Sequence, residues 1–180
     1  MRIEKDDAVL VVVDIQERLF PHIHDNEQLE RNCTVLISGM KVLDVPVIVS
    51  EQYSKGLGPT IPSIRDTLGD IRPVEKMSFS CCGEPTFITA LNKIARNKII
   101  VCGTEAHVCV LQTALDLHQR GFIPVVIEDC ISSRKPNDKI QAVERMRQTG
   151  MIISTYESIL FELCQVAGTE QFKAISKLVK

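Results

Sequence analysis

Residues 8–13 read Ala-Val-Leu-Val-Val-Val, and the run stops at an acid, Asp14. Six consecutive apolar residues, most of them valine, suit a strand covered on both faces, as in the middle of a parallel sheet. The run is far too short to cross a bilayer, so no membrane partner is expected. Working outward, similar short apolar runs return at residues 45–50, 74–77, 98–102, 123–128 and 151–155. Between them the apolar residues fall at helical spacing. Asp25 and Gln28 read as a capping box ahead of Leu29, Cys33, Ile37 and Met40. Pro85 and Pro136 suit the first turns of helices. A continuous helix is expected over residues 107–120, with Gly121 as its stop. This alternation predicts one α/β domain over residues 1–180. The expected architecture is a three-layer α/β/α fold with a six-stranded, mostly parallel sheet.

Composition narrows the function classes. Lysine and arginine number 21 against 23 acids, a net charge of −2, which offers no electrostatic grip on nucleic acid. Residues 1–7 alternate charges and build no apolar targeting core. Seven cysteines are an odd count, without paired CxxC spacing for zinc or a compact disulfide framework. Cys102, Cys130 and Cys164 sit in apolar runs as small hydrophobes, so a reducing, cytoplasmic setting is expected. The stretch after the first run, Asp14-Ile15-Gln16-Glu17-Arg18, lacks the glycines of a nucleotide-binding turn.

In a parallel sheet, chemistry gathers beyond the carboxyl ends of the strands. Asp14 follows the first run, Lys76 ends the third, and Cys109 follows the fourth at the start of a helix. A thiolate is a nucleophile, and an ammonium and a helix start both stabilise it. A carboxylate can take the thiol proton and return it to a leaving group. Taken singly, each residue also fits a turn, a solvated charge or a buried filler.

The surrounding sequences carry more. Val12-Val13-Asp14-Ile15-Gln16, Glu75-Lys76-Met77-Ser78-Phe79-Ser80 and Gly103-Thr104-Glu105-Ala106-His107-Val108-Cys109-Val110 occur in register along the chain. They resemble the isochorismatase-like cysteine hydrolases. Ser50-Glu51-Gln52-Tyr53 and Lys55-Gly56-Leu57-Gly58 are most similar to the compact isochorismatase-domain proteins of that superfamily. The resemblance implies Asp14 as general base, Lys76 as its electrostatic partner and Cys109 as nucleophile. It also implies a non-proline cis peptide between Thr104 and Glu105, with the N–H groups of Glu105 and Cys109 facing an oxyanion. The implied reaction is hydrolysis of a small amide, ureide or related acyl substrate through a thioester, in a homo-oligomer. Metal-binding nicotinamidases carry an Asp-x-His pair where this chain reads Glu51-Gln52-Tyr53-Ser54, so no metal and no cofactor are expected. Two alternatives stay open: a non-catalytic binding protein on the same fold, and a vinyl-ether hydrolase of the isochorismatase type.

Gln16, Phe20, Tyr53, Phe79, Glu105 and His107 are expected around the substrate pocket. His22 and His24 read as a solvated loop, and Cys81-Cys82 as loop filler. Asp129 is expected to tie the loop after the fifth strand by capping backbone N–H groups.

Overall fold

β1 (Ala8–Val13) is central because it is apolar on both sides. Ala8, Leu10 and Val12 point into one hydrophobic core, and Val9, Val11 and Val13 into another. No residue of β1 is more than 1% exposed, and each buried valine or leucine contributes about 1.5–3 kcal/mol. The computed structural model describes all 180 residues. It flanks β1 with β2 (Val47–Gln52) and β3 (Val74–Lys76) on one side. On the other lie β4 (Lys98–Thr104), β5 (Ile123–Ser132) and β6 (Ile152–Ser154). The order is β3-β2-β1-β4-β5-β6, and every pairing is parallel.

The helices divide between the two faces. α1 (Asn26–Val42) is followed by two short helices in the β2–β3 connection, α2 (Ser54–Leu57) and α3 (Pro62–Leu68). α4 (Pro85–Ile94), α5 (Leu111–Gln119) and α6 (Pro136–Gln148) supply Phe87, Leu91, Ala114, Leu117, Val143 and Met146 to one core. α7 (Tyr156–Cys164) and α8 (Glu170–Leu178) join α1 on the other, through Leu36, Met40, Leu160 and Ile175. Strand order reverses between β1 and β4, so the crevice beyond their carboxyl ends is where such a sheet opens to a ligand. No helix is long and apolar enough to cross a membrane.

Three local expectations are corrected. Asp25 lies in the left-handed region (φ 52°) and caps nothing with its side chain, while Gln28 donates to Asn32 Oδ1 at 2.7 Å. The capping box is therefore absent. The helix expected over 107–120 is broken into a π-helical turn, Ala106–Val110, and α5, because Val110 N–H reaches five residues back to Glu105 O (3.2 Å). β5 continues to Ser132 beyond a register shift against β4, rather than ending at residue 128. Asp129 thus lies inside the strand, where its Oδ1 accepts from Tyr156 N–H (2.9 Å) at the start of α7. Acids in mid-strand looked like a loop because nothing in the sequence showed where their partners would be.

Gly103 fits a tight crossing. Its φ is +119°, and a Cβ there would stand 2.0 Å from Val13 O. β4 can pass the end of β1 this closely only without a side chain.

Candidate active site

Asp14 leaves β1 with a left-handed backbone (φ 48°), which turns it into the crevice. Its N–H donates to Ser50 O at 3.2 Å, and Thr104 Oγ1 donates to its carbonyl at 2.7 Å. The carboxylate has a donor on each oxygen, Ser50 Oγ on Oδ1 and Lys76 Nζ on Oδ2, both at 2.7 Å. Asp14 and Lys76 are each only 1% exposed. The Lys76 ammonium also meets Gln52 Oε1 (2.8 Å), Phe79 O (3.0 Å) and Ser78 O (3.2 Å). Its protons therefore all have acceptors, as a buried charge requires.

Cys109 sits in the π-helical turn between β4 and α5, 7% exposed. Such one-turn irregularities recur at functional sites. Its thiol feels the charges of both Asp14 and Lys76. Burial pushes that thiol up to about 12, the Asp14 carboxylate pushes it the same way, and Lys76 opposes both. The thiolate expected from an ammonium and a helix start is thus outweighed. The lysine's charge is matched by Asp14, and water is excluded. At neutral pH Cys109 rests as a thiol beside a carboxylate that can accept its proton.

The peptide bond between Thr104 and Glu105 is cis. Glu105 N–H donates to no protein acceptor, and Glu105 O holds the turn by accepting from Val108 and Val110. Its carboxylate faces away, toward the β5–α6 connection, accepting from Arg134 N (3.1 Å) and Nε (3.0 Å). His107 points to the same connection, with Nδ1 2.9 Å from Ser133 Oγ and Nε2 3.7 Å from Asp138 Oδ2.

The expected pocket residues separate into groups. Gln16 is fully buried, and its amide is spent on backbone: Nε2 donates to Gly58 O (2.7 Å) and Gln52 O (3.0 Å), and Oε1 accepts from Gln52 N (2.7 Å). It is a strut for the β2–α3 loops, not a substrate wall. Phe20 is likewise part of the core beside Ile23 and Leu29. Tyr53 and Phe79 expose their rings, Phe79 at 55%, on the loops that follow β2 and β3. His22 and His24 are exposed. One surface cleft is lined by Lys76 with Tyr53, Met77 and Glu84, and Asp14 and Cys109 do not line it.

Three residues that contact Asp14, Lys76 or Ser50 are not marked as site residues by the sequence: Ser50, Gln52 and Cys81. Ser50 pairs with Val13 in the parallel register, which puts it beside Asp14. Cys81, read as loop filler, is buried with Sγ 3.4 Å from Ser50 Oγ. Parallel register between two strand ends was the one signal available for Ser50. All seven cysteines are free thiols, and Cys164 is half-buried where Cys102 and Cys130 are fully buried.

A six-stranded parallel sheet with an acid, a lysine and a cysteine meeting at its switch point defines an α/β protein of hydrolase-type fold. The isochorismatase domain matches residues 8–158, and the chain belongs to the isochorismatase family. It is 36% identical to isochorismatase domain-containing protein 2A of Mus musculus, over 99% of this chain and 85% of that protein. Its fold superimposes on a MAR1 ribonuclease of Caenorhabditis elegans with a TM-score of 0.93 and 36% identity, covering 99% and 92% of the two chains. It also superimposes on the Escherichia coli YcaC gene product, an octameric hydrolase of unknown specificity, with a TM-score of 0.92 and 22% identity, covering 99% and 90%.

Proposed function

We propose that the chain is a metal-independent cysteine hydrolase acting on a small amide, ureide or related acyl compound. The observation that carries this reading is the buried carboxylate of Asp14, held by Lys76 at 2.7 Å and near enough to the Cys109 thiol for its charge to oppose ionisation there. As Cys109 Sγ attacks the substrate carbonyl, its proton passes to Asp14, so no free thiolate has to accumulate. The carbonyl oxygen becomes an oxyanion, and in this reading its donors are Glu105 N–H, which has no protein acceptor, and Cys109 N–H. Asp14 then gives the proton to the departing nitrogen or oxygen, leaving a thioester on Cys109. Water, deprotonated by Asp14, hydrolyses the thioester and restores the thiol. Lys76 pairs with the Asp14 carboxylate, and its protons are taken up by Asp14, Gln52, Ser78 and Phe79.

Self-association belongs to this reading. Met77 and Phe79 are exposed on the loop that follows Lys76, and the YcaC relative is an octamer. Seven free thiols favour a reducing compartment.

A second reading comes from the Caenorhabditis elegans relative, whose name is that of a ribonuclease. A net charge of −2 weighs against a phosphodiester backbone as substrate. One experiment separates the readings: a panel of amides, ureides and esters, together with single-stranded RNA, is incubated with wild type, Cys109→Ala and Asp14→Asn. The cysteine-hydrolase reading expects turnover of one acyl class that falls by about 10³-fold or more in both variants. An acyl group should then be trapped on Cys109 by mass spectrometry. RNA cleavage alone would support the ribonuclease reading. Acyl turnover indifferent to Cys109→Ala would overturn the nucleophile. No turnover, with Cys109 never acylated, would favour a binding protein on the same fold.

A further inference from the structure

Behind the base lies a buried chain of polar groups that runs back to the nucleophile's own helix. Cys81 N–H donates to Thr113 Oγ1 at 2.9 Å, and Thr113 is one helical turn beyond Cys109 on α5. Cys81 Sγ–H donates to Ser50 Oγ at 3.4 Å, and Ser50 Oγ–H donates to Asp14 Oδ1 at 2.7 Å. All four residues are buried, and Cys81 and Thr113 are fully inaccessible. A serine hydroxyl has one proton and can also accept. With an acid on one side that only accepts and a thiol on the other, the proton of Ser50 has one place to go, Asp14 Oδ1.

We propose that Ser50 is a positioning residue for the Asp14 base, with Cys81 fixing the direction of its hydroxyl. This rests on the reading of Asp14 and Cys109 as base and nucleophile. Lys76 neutralises one oxygen of the carboxylate and Ser50 the other, so the charge facing Cys109 is divided between two donors. Asp14 is too enclosed to exchange a lost donor for water. Removing the hydroxyl therefore leaves more negative charge facing the thiol, which disfavours its ionisation, and frees one oxygen to take a proton.

The test needs no natural substrate. The rate of Cys109 alkylation by iodoacetamide is followed by mass spectrometry from pH 7 to 11 in wild type, Ser50→Ala, Asp14→Asn and the double variant. Circular dichroism confirms that each is folded. Ser50→Ala should slow Cys109 labelling by about three- to tenfold, the effect of one lost hydrogen bond on a charged group. In the Asp14→Asn background the same substitution should change the rate less than about twofold, because the charge it tempers is gone. Cys81→Ala should move in the direction of Ser50→Ala, and Cys81→Ser, which restores a donor, should lie closer to wild type.

Equal effects of Ser50→Ala with and without Asp14 would mean a general loosening of the rim and overturn the proposal. So would no effect in either background. If Asp14→Asn itself leaves Cys109 labelling unchanged, the base and nucleophile reading fails first, which is a distinct result.

Discussion

The Lys76 ammonium reaches over β2 to Asp14: β3 and β1 are not neighbours in the sheet, yet Nζ and Oδ2 are 2.7 Å apart with almost no exposure. Gln52, on the intervening strand, accepts from the same ammonium at 2.8 Å. Three strand ends are thus tied by one buried charge. Removing either partner strands the other in a site with almost no solvent exposure, which costs about 3–5 kcal/mol. Lys76→Met should therefore lower stability by about that amount in urea unfolding at pH 7. The double variant Lys76→Met/Asp14→Asn should lose less than the sum of the two single changes, because no unpaired charge remains.

Asp14 also opposes ionisation of Cys109, so one substitution should move two readouts in opposite senses. With Asp14→Asn the second cause that pushes the Cys109 thiol up is removed while Lys76 still opposes burial. Alkylation of Cys109 at pH 8–9 should become faster than in wild type. Turnover, if Asp14 is the proton acceptor proposed above, should fall by about 10³-fold or more. Parallel loss of labelling and turnover would mean that proton transfer to Asp14 assists attack more than its charge opposes ionisation.

The fold was legible because β1 is apolar at every position and the other runs recur with helices between them. What could not be read was set by distant partners. Gln16 looked like a pocket residue because it follows Asp14, but the backbone of Gln52 and Gly58 claims its amide. Phe20 went to the core because the chain turns inward ahead of α1. Asp14, Lys76 and Cys109 stand out from strand ends and local motifs, and Lys76 Nζ lies 2.7 Å from Asp14 Oδ2 at the strand ends. Their protonation was not legible. An ammonium near a thiol suggests a thiolate, and only the depth of burial and the prior claim of Asp14 on Lys76 reverse that.

Three thiols in this region give the fold an alkaline limit. Burial raises Cys81, and it raises Cys82 and Cys109 to about 12 from an ordinary value of 9.0. Each binds its proton more tightly in the folded than in the unfolded chain. The stability they contribute is complete below pH 9 and lost as pH rises toward 12, since the unfolded chain ionises first. Melting temperature should decline over that window, and less steeply in Cys82→Ala, which removes one of the three without touching Asp14. An unchanged alkaline slope in that variant would show that Cys82 is solvated.

The approach of β4 to β1 at Gly103 is tight enough to predict what one methyl group would do. A Cβ at this residue would lie 2.0 Å from Val13 O, 2.8 Å from Val13 C and 2.7 Å from Val13 N. These are backbone atoms in a strand buried on both faces, with no flexible end to swing aside. The positive φ of 119° adds strain for any residue with a side chain. Gly103→Ala must therefore separate the ends of β1 and β4 by roughly 1.5–2 Å, judged against ordinary contacts of about 3.5–4 Å. Asp14 follows Val13, and Thr104, whose Oγ1 donates to Asp14 O at 2.7 Å, follows Gly103. The substitution should cost several kcal/mol, on the order of the larger strain and overpacking penalties, about 3 kcal/mol or more. It should also abolish turnover in whatever fraction still folds. A Gly103→Ala protein with wild-type melting and wild-type activity would show that the two strand ends are held apart in solution, and that Asp14 and the Cys109 turn are not in fixed register.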